Sequence, residues 1–109
     1  MDWSDITGSK YLTKDHVGKD GKNLTIERIL REKIAEKTQG DIEIKPVLHF
    51  EEELPPMILN KTNVKWLRYS FPDAATTEGL KGEVVNAYFN PTIEFAGKIT
   101  GGLRLRDKQ

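Results

Sequence analysis

The sequence predicts a mainly β fold, five antiparallel strands closed into a small barrel with one helix between the third and fourth strands. Three observations predict it. Short runs alternate apolar and polar residues, as half-buried strands do. Glycine- and proline-bearing turns punctuate those runs. A single segment switches to helical spacing. The chain has 109 residues, which suits one compact domain. We expect an arm and loop over residues 1–22 and a single domain over residues 23–109.

The arm runs up to "KDHVGKDGK" and is polar and glycine-punctuated, with Tyr11, Leu12 and Val17 available to pin it to the body. "NLTIERILREKIA", Asn23 to Ala35, begins with strand alternation at Leu24 and Ile26. Ile29, Leu30 and Ile34 then break the period, which a helix or a bulged strand would explain. The β-branched content and the "GKN" turn favour a long strand with a bulge. "EKTQGD" is a turn. "DIEIKPVLHF" places Ile42, Ile44, Leu48 and Phe50 on one face and Lys45, Val47 and His49 on the other. Pro46 lacks a backbone donor, so an edge or a bulge is expected there. "EEELPP" is a solvated loop, and "MILN" a short third strand.

"NKTNVKWLRYSF" changes period. Val64, Leu67 and Phe71 fall at helical spacing, with Trp66 beside them. Asn60 or Thr62 can cap the start, and Pro72 stops the end. "PDAATTEGLKG" is a long loop and "EVVNAYF" the fourth strand, with Val85, Ala87 and Phe89 inward and Asn86 and Tyr88 outward. "TIEFAGKITGGLRLR" returns as a hairpin.

That last stretch holds a lysine, a threonine and three glycines between Phe95 and Arg106, so a phosphate-cradling loop has to be weighed. Such a loop needs glycines ahead of its lysine and a helix directly after it. Here alternation follows Lys98 instead, with Ile99, Gly101, Leu103 and Leu105 on one side and Thr100, Gly102, Arg104 and Arg106 on the other. Ala96–Gly97–Lys98 therefore reads as a hairpin turn and Gly101–Gly102 as a bend or bulge. Strand, strand, strand, helix, strand, strand is the order of the OB-fold, a five-stranded Greek-key barrel that binds oligonucleotides or oligosaccharides.

Composition narrows the function. Lysine plus arginine and aspartate plus glutamate both number 17, so there is no overall basic charge to draw in nucleic acid. The halves differ: residues 1–55 hold 9 basic and 12 acidic side chains, and residues 56–109 hold 8 and 5. An anionic partner is expected to meet the second half. There is no cysteine, which excludes disulfides and thiolate chemistry. No run approaches the roughly 20 apolar residues that span a bilayer, and the N-terminus has no secretory pattern. A cytoplasmic protein without membrane contact is expected.

His16 and His49 lie on different segments without partners at ligand spacing, so no metal site is expected. No nucleophile is paired with a base, so no catalytic residue and no cofactor are expected. The candidate site is instead a binding one. Arg104 and Arg106 lie outward near Lys98, either as an anion-binding patch or as solubilising charge on a terminal strand. Lys45 is a further phosphate contact. Tyr88 and Phe95 bracket the "NP" turn and could stack bases. Single-stranded DNA or RNA is the first partner, and another protein the alternative.

The strings "GSKYLTKDHV", "MILNKTN", "LKGEVV" and "FAGKITGGLRLR" together resemble a family of small proteins encoded in phages and prophages. The resemblance runs from Gly8 to Arg106, and "LNKTN" and "FAGKITGGLRLR" are its most specific parts. It implies a phage setting (hence the host cytoplasm), an OB-type fold and a link to single-stranded DNA, and it makes the alternative protein partner a phage or host replication or recombination protein. It transfers no catalytic residue. Asn60, Lys61, Thr62 and Asn63 read either as functional residues or, the reading we favour, as a cap at the corner between strand and helix.

Overall fold

The structure is a computed structural model that describes residues 10–36 and 42–109, with the side chains of Ala35, Glu36 and Phe95 outside the description. The elements are α1 (Lys14–Val17), β1 (Lys22–Glu36), β2 (Ile42–Phe50), β3 (Met57–Ile58), α2 (Lys61–Ser70), a 3-10 turn (Thr77–Leu80), β4 (Val84–Asn90), β5 (Glu94–Phe95), β6 (Lys98–Ile99) and β7 (Gly102–Asp107). Five strands form one antiparallel sheet in the order β3-β2-β1-β4-β7, and β5 and β6 form a separate small hairpin. The fold is mainly β, as the alternation predicts.

β1 is the long bulged strand expected from "NLTIERILREKIA". Its first residues, Lys22 to Thr25, pair with β4, and the rest pairs with β2. The pairing slips between Ile26 and Arg28. The extra residue reverses the phase of the alternation, so Leu24 and Ile26 before it and Ile29 after it all meet the core. A second slip lies between Lys33 and Ala35.

Leu24, Ile26, Leu48, Phe50, Met57, Val85 and Leu105 form the heart of the core. Each such side chain contributes about 1.5–3 kcal/mol by leaving water. Leu12 and Val17 join it and hold the arm to the body, with the Leu12 N–H donating to the Pro56 carbonyl at 2.8 Å. The arm also folds into the single helical turn α1, which polarity alone did not foretell. There the Thr13 N–H donates to His16 Nδ1 at 2.9 Å.

Three expectations need correction. The sheet is not closed into a barrel, because β3 and β7 are its two edges and do not pair with each other. A two-residue β3 offers too few backbone groups to zip to β7. The return segment is not one long hairpin either: Ala96 (φ 53°) and Gly97 (φ 81°) turn β5 into β6, and Gly101 (φ 73°) turns the chain again before β7. Ile99 is thereby cut off from the face of Leu103 and Leu105 and stands 72% exposed. Finally, Ile42 and Ile44 share a face with Leu48 and Phe50 but are not core. They lie on the distal part of the β1–β2 hairpin, beyond the packed body, and are 54% and 53% exposed. The turn expected over "EKTQGD" falls on residues 37–41, outside the described residues.

α2 begins where expected. The Asn60 side chain accepts the Asn63 N–H at 2.8 Å, as an N-cap does. Asn63 is buried, and its Nδ2 donates to the Leu103 carbonyl at 3.3 Å. The helix leaves β3 and is tied to β7, so it covers the side on which the two sheet edges fail to meet. Trp66 is half-buried and packs edge-to-face on Phe71, with ring centroids 6.2 Å apart.

Candidate functional site

The sequence-derived site residues fall into separate places. Tyr88 and Arg104 are directly opposite across β4 and β7, and so are Asn86 and Arg106. These four share the outer face. Lys98 is exposed on the β5–β6 hairpin. Phe95 is on the same hairpin, and its side chain lies outside the described residues. Lys45 is opposite Glu32 on the distal hairpin, whereas Tyr88 lies beyond the Lys22–Ala87 pair. At about 3.3 Å per residue, roughly 30 Å of β1 separates them.

The Tyr88 cluster is engaged with the fold. The Arg106 guanidinium lies 4.1 Å from the Tyr88 ring centre and covers one ring face. Its Nε donates to Asn86 Oδ1 at 2.9 Å and a terminal nitrogen donates to the Asp20 carbonyl at 3.0 Å. Asn86 is 2% exposed and donates to Asn23 Oδ1, which also accepts the Gln109 N–H. The network knits the start of β1, β4 and the chain's last residues. Gly21 fits against it at φ +73°, where an added Cβ would stand 2.2 Å from Asn86 Oδ1 and 2.8 Å from the Ala87 carbonyl. Arg104 is freer, with a terminal nitrogen on the Leu103 carbonyl at 3.2 Å.

A second basic site emerges on α2. Lys61, Lys65 and Arg68 stand one and two turns apart, so they share one side of the helix. With Lys45 they rim a depression of about 550 Å³, floored by Pro46, Leu59 and Val64. Among the described residues no carboxylate lines it. Among the described residues Lys61, Lys65 and Arg68 are in no ion pair, while Lys45 meets Glu43 at 3.3 Å. The depression shares Pro46, Leu59, Val64 and Arg68 with an apolar pocket of about 280 Å³. Ile29, Leu67, Phe71 and Leu80 line its depth, and Thr76 and Thr77 its far lip. The two make one groove, basic at one end and apolar at the other. β2 places Lys45 and Pro46, and the Asn60 cap sets the direction of α2 and so of its cations.

The groove as a whole was missed at the sequence level, although Lys45 and, within "LNKTN", Lys61 were singled out. The signal was present: "KTNVKWLRYS" has three cations at helical spacing and no acidic residue. Two ionisable groups weighed in the sequence, His49 and Glu52, are tied up in structure. His49 Nε2 shares a hydrogen bond with Glu32. In "EEELPP", Glu52 accepts from the Thr25 N–H at 2.8 Å and the Thr25 hydroxyl at 2.9 Å, beyond the solvated role expected of it. Desolvation pushes its pKa up, but the hydrogen bonds from the Thr25 N–H, its own backbone N–H and the Thr25 hydroxyl outweigh this and hold it below the ordinary value of 4.5. Among the described residues no three metal-capable side chains gather, and no helix is long and apolar enough to cross a membrane.

Comparison of the chain with protein-family models, with curated proteins and with solved structures finds no match.

Proposed function

We propose that this chain is a non-enzymatic binding module of OB type that holds an extended anionic segment of a macromolecule in the groove between α2 and β2. The observation that carries the reading is the row of three cations on α2, joined by Lys45, which among the described residues have no ion pair on the helix and no carboxylate in the groove wall. Unpaired cations on one side of a helix keep that side available to negative charge, and neighbouring cations add their fields. The OB reading draws on the sheet order, on a long bulged β1 shared between β2 and β4, and on a helix inserted after β3. A partly open barrel is within that architecture. Single-stranded nucleic acid and acidic polypeptide both carry the required charge. For nucleic acid, phosphates would meet Lys61, Lys65, Arg68 and Lys45 in preference to Arg106, whose donors are already engaged.

The test is fluorescence anisotropy of a labelled oligothymidylate and of a labelled acidic peptide, each titrated with the protein at low and moderate salt. We expect saturable binding to at least one, weaker at higher salt because counterions are released. The triple variant Lys61→Glu, Lys65→Glu, Arg68→Glu should lose that binding while its circular dichroism stays that of the parent. All three side chains are exposed, so reversal leaves the core intact. Undiminished binding by a folded triple variant would overturn the reading.

A further inference from the structure

We infer that the segment held in the groove is an acidic polypeptide carrying a large apolar side chain, with its carboxylates on the α2 cations and its apolar side chain in the pocket behind them. The inference rests on the anionic-ligand reading above and deepens it. It turns on what lies at the apolar end of the groove. The pocket is walled by Ile29, Leu59, Leu67, Phe71 and Leu80, and its polar side chains, Arg68, Thr76 and Thr77, sit at the rim.

A nucleobase fits this poorly. A base has polar edges whose donors and acceptors would go unpaired against aliphatic walls, at a cost per group that exceeds what the contact returns. It binds well where an aromatic ring offers a flat, accessible face. Phe71 is the single aromatic ring among the residues that line the groove, and it already packs edge-to-face on Trp66 at 6.2 Å, so successive bases find no row of rings to stack on. An aliphatic or aromatic side chain has no such edges and gains from every wall. One aromatic side chain removes about 150–250 Å² from water on burial.

Charge complementarity selects the rest of the ligand. Lys61 and Lys65 are about one helical turn apart, roughly 6 Å along the axis, and Arg68 follows near the next turn. Arg68 lines both parts of the groove, so a carboxylate it binds would be adjacent to the anchoring side chain. Its planar guanidinium can hold a carboxylate through two hydrogen bonds. A sequence of Asp or Glu flanking a Phe, Leu or Ile meets both demands.

The experiment compares three labelled probes on the full chain. One is a short peptide of aspartates and glutamates around a single phenylalanine, the second is the same peptide with alanine in place of phenylalanine, and the third is oligothymidylate. We expect the phenylalanine peptide to bind about tenfold or more tightly than the alanine peptide, the ratio that burial of such a side chain gives. Lys61→Glu with Lys65→Glu should abolish binding of the phenylalanine peptide. Equal binding of the two peptides, lost in the double variant, would overturn the anchor and leave the anionic-ligand reading standing. Binding of oligothymidylate alone, lost in the double variant, would do the same in favour of nucleic acid. Binding of no probe, or binding that the double variant retains, would overturn both.

Discussion

Arg106 and Arg104 look alike in the sequence, two outward arginines on a terminal strand, yet the fold uses them differently. Arg106 donates to Asn86 and to the Asp20 carbonyl and lies over Tyr88. Removing it leaves the Asn86 side-chain oxygen, on a residue only 2% exposed, without its donor. Hydrogen bonds to charged groups contribute about 1.5–3 kcal/mol. Arg106→Ala should therefore destabilise the chain by about 2 kcal/mol. Arg104→Ala should change stability by no more than about 0.5 kcal/mol, as surface substitutions do. Urea denaturation of the two variants measures the difference, and equal midpoints would mean that the Asn86–Arg106 network is not holding the chain end. Reversing both charges together would disturb the fold as well as the surface, and is thus a poor probe of ligand binding here.

Among the elements, β1 decides the architecture, and its turning point is a few residues long. At Thr25 and Ile26 the strand passes from β4 to β2, and several hydrogen bonds close the gap: the Ile26 N–H to the Glu83 carbonyl, the Gly82 N–H to the Ile26 carbonyl, and the Glu51 N–H to the Thr25 carbonyl. Glu52 completes the set by accepting from Thr25 twice. Because its pKa is depressed in the folded chain, the stability it adds is present above its ordinary value and lost as pH falls through the depressed one. Denaturation midpoints measured below about pH 5 should fall less steeply for Glu52→Gln than for the parent. Parallel slopes would show that the Thr25 contacts do not stabilise the anion. The bulge itself was legible, since Ile29 falls out of phase with Leu24 and Ile26 and all three are apolar. The Glu52 clasp was not, because the string "EEE" holds no sign of a partner 27 positions away. The same limit hid the groove. Helical spacing places three cations together on α2, but only the fold sets Pro46 and Leu59 beside them.

For the whole molecule the open side of the sheet is the question, because a two-residue β3 leaves β7 an edge strand. Unpaired edges template unwanted pairing unless covered. Here α2 is the cover, joined to β3 by Leu59 and the Asn60 cap and to β7 by the Asn63 amide on the Leu103 carbonyl. The sequence foretold the five main strands and the helix but not this division of labour, since alternation reports a strand's faces and says nothing of which edges meet. If the helix does the closing, cutting its tie should loosen β7 before the β1–β2 hairpin. Asn63→Ala removes the amide that ties α2 to the Leu103 carbonyl and leaves that carbonyl to Arg104 alone, at about 0.5–1.5 kcal/mol. Amide hydrogen exchange should then speed up more in β7 and α2 than in the paired stretch from Ile29 to Glu32, because opening is local to the part whose contacts were lost. A uniform rise across both regions would mean that the molecule opens only as one unit. The groove lies on the same helix, so an occupant that bridges α2 and β2 should slow exchange in α2 and offset part of that loss.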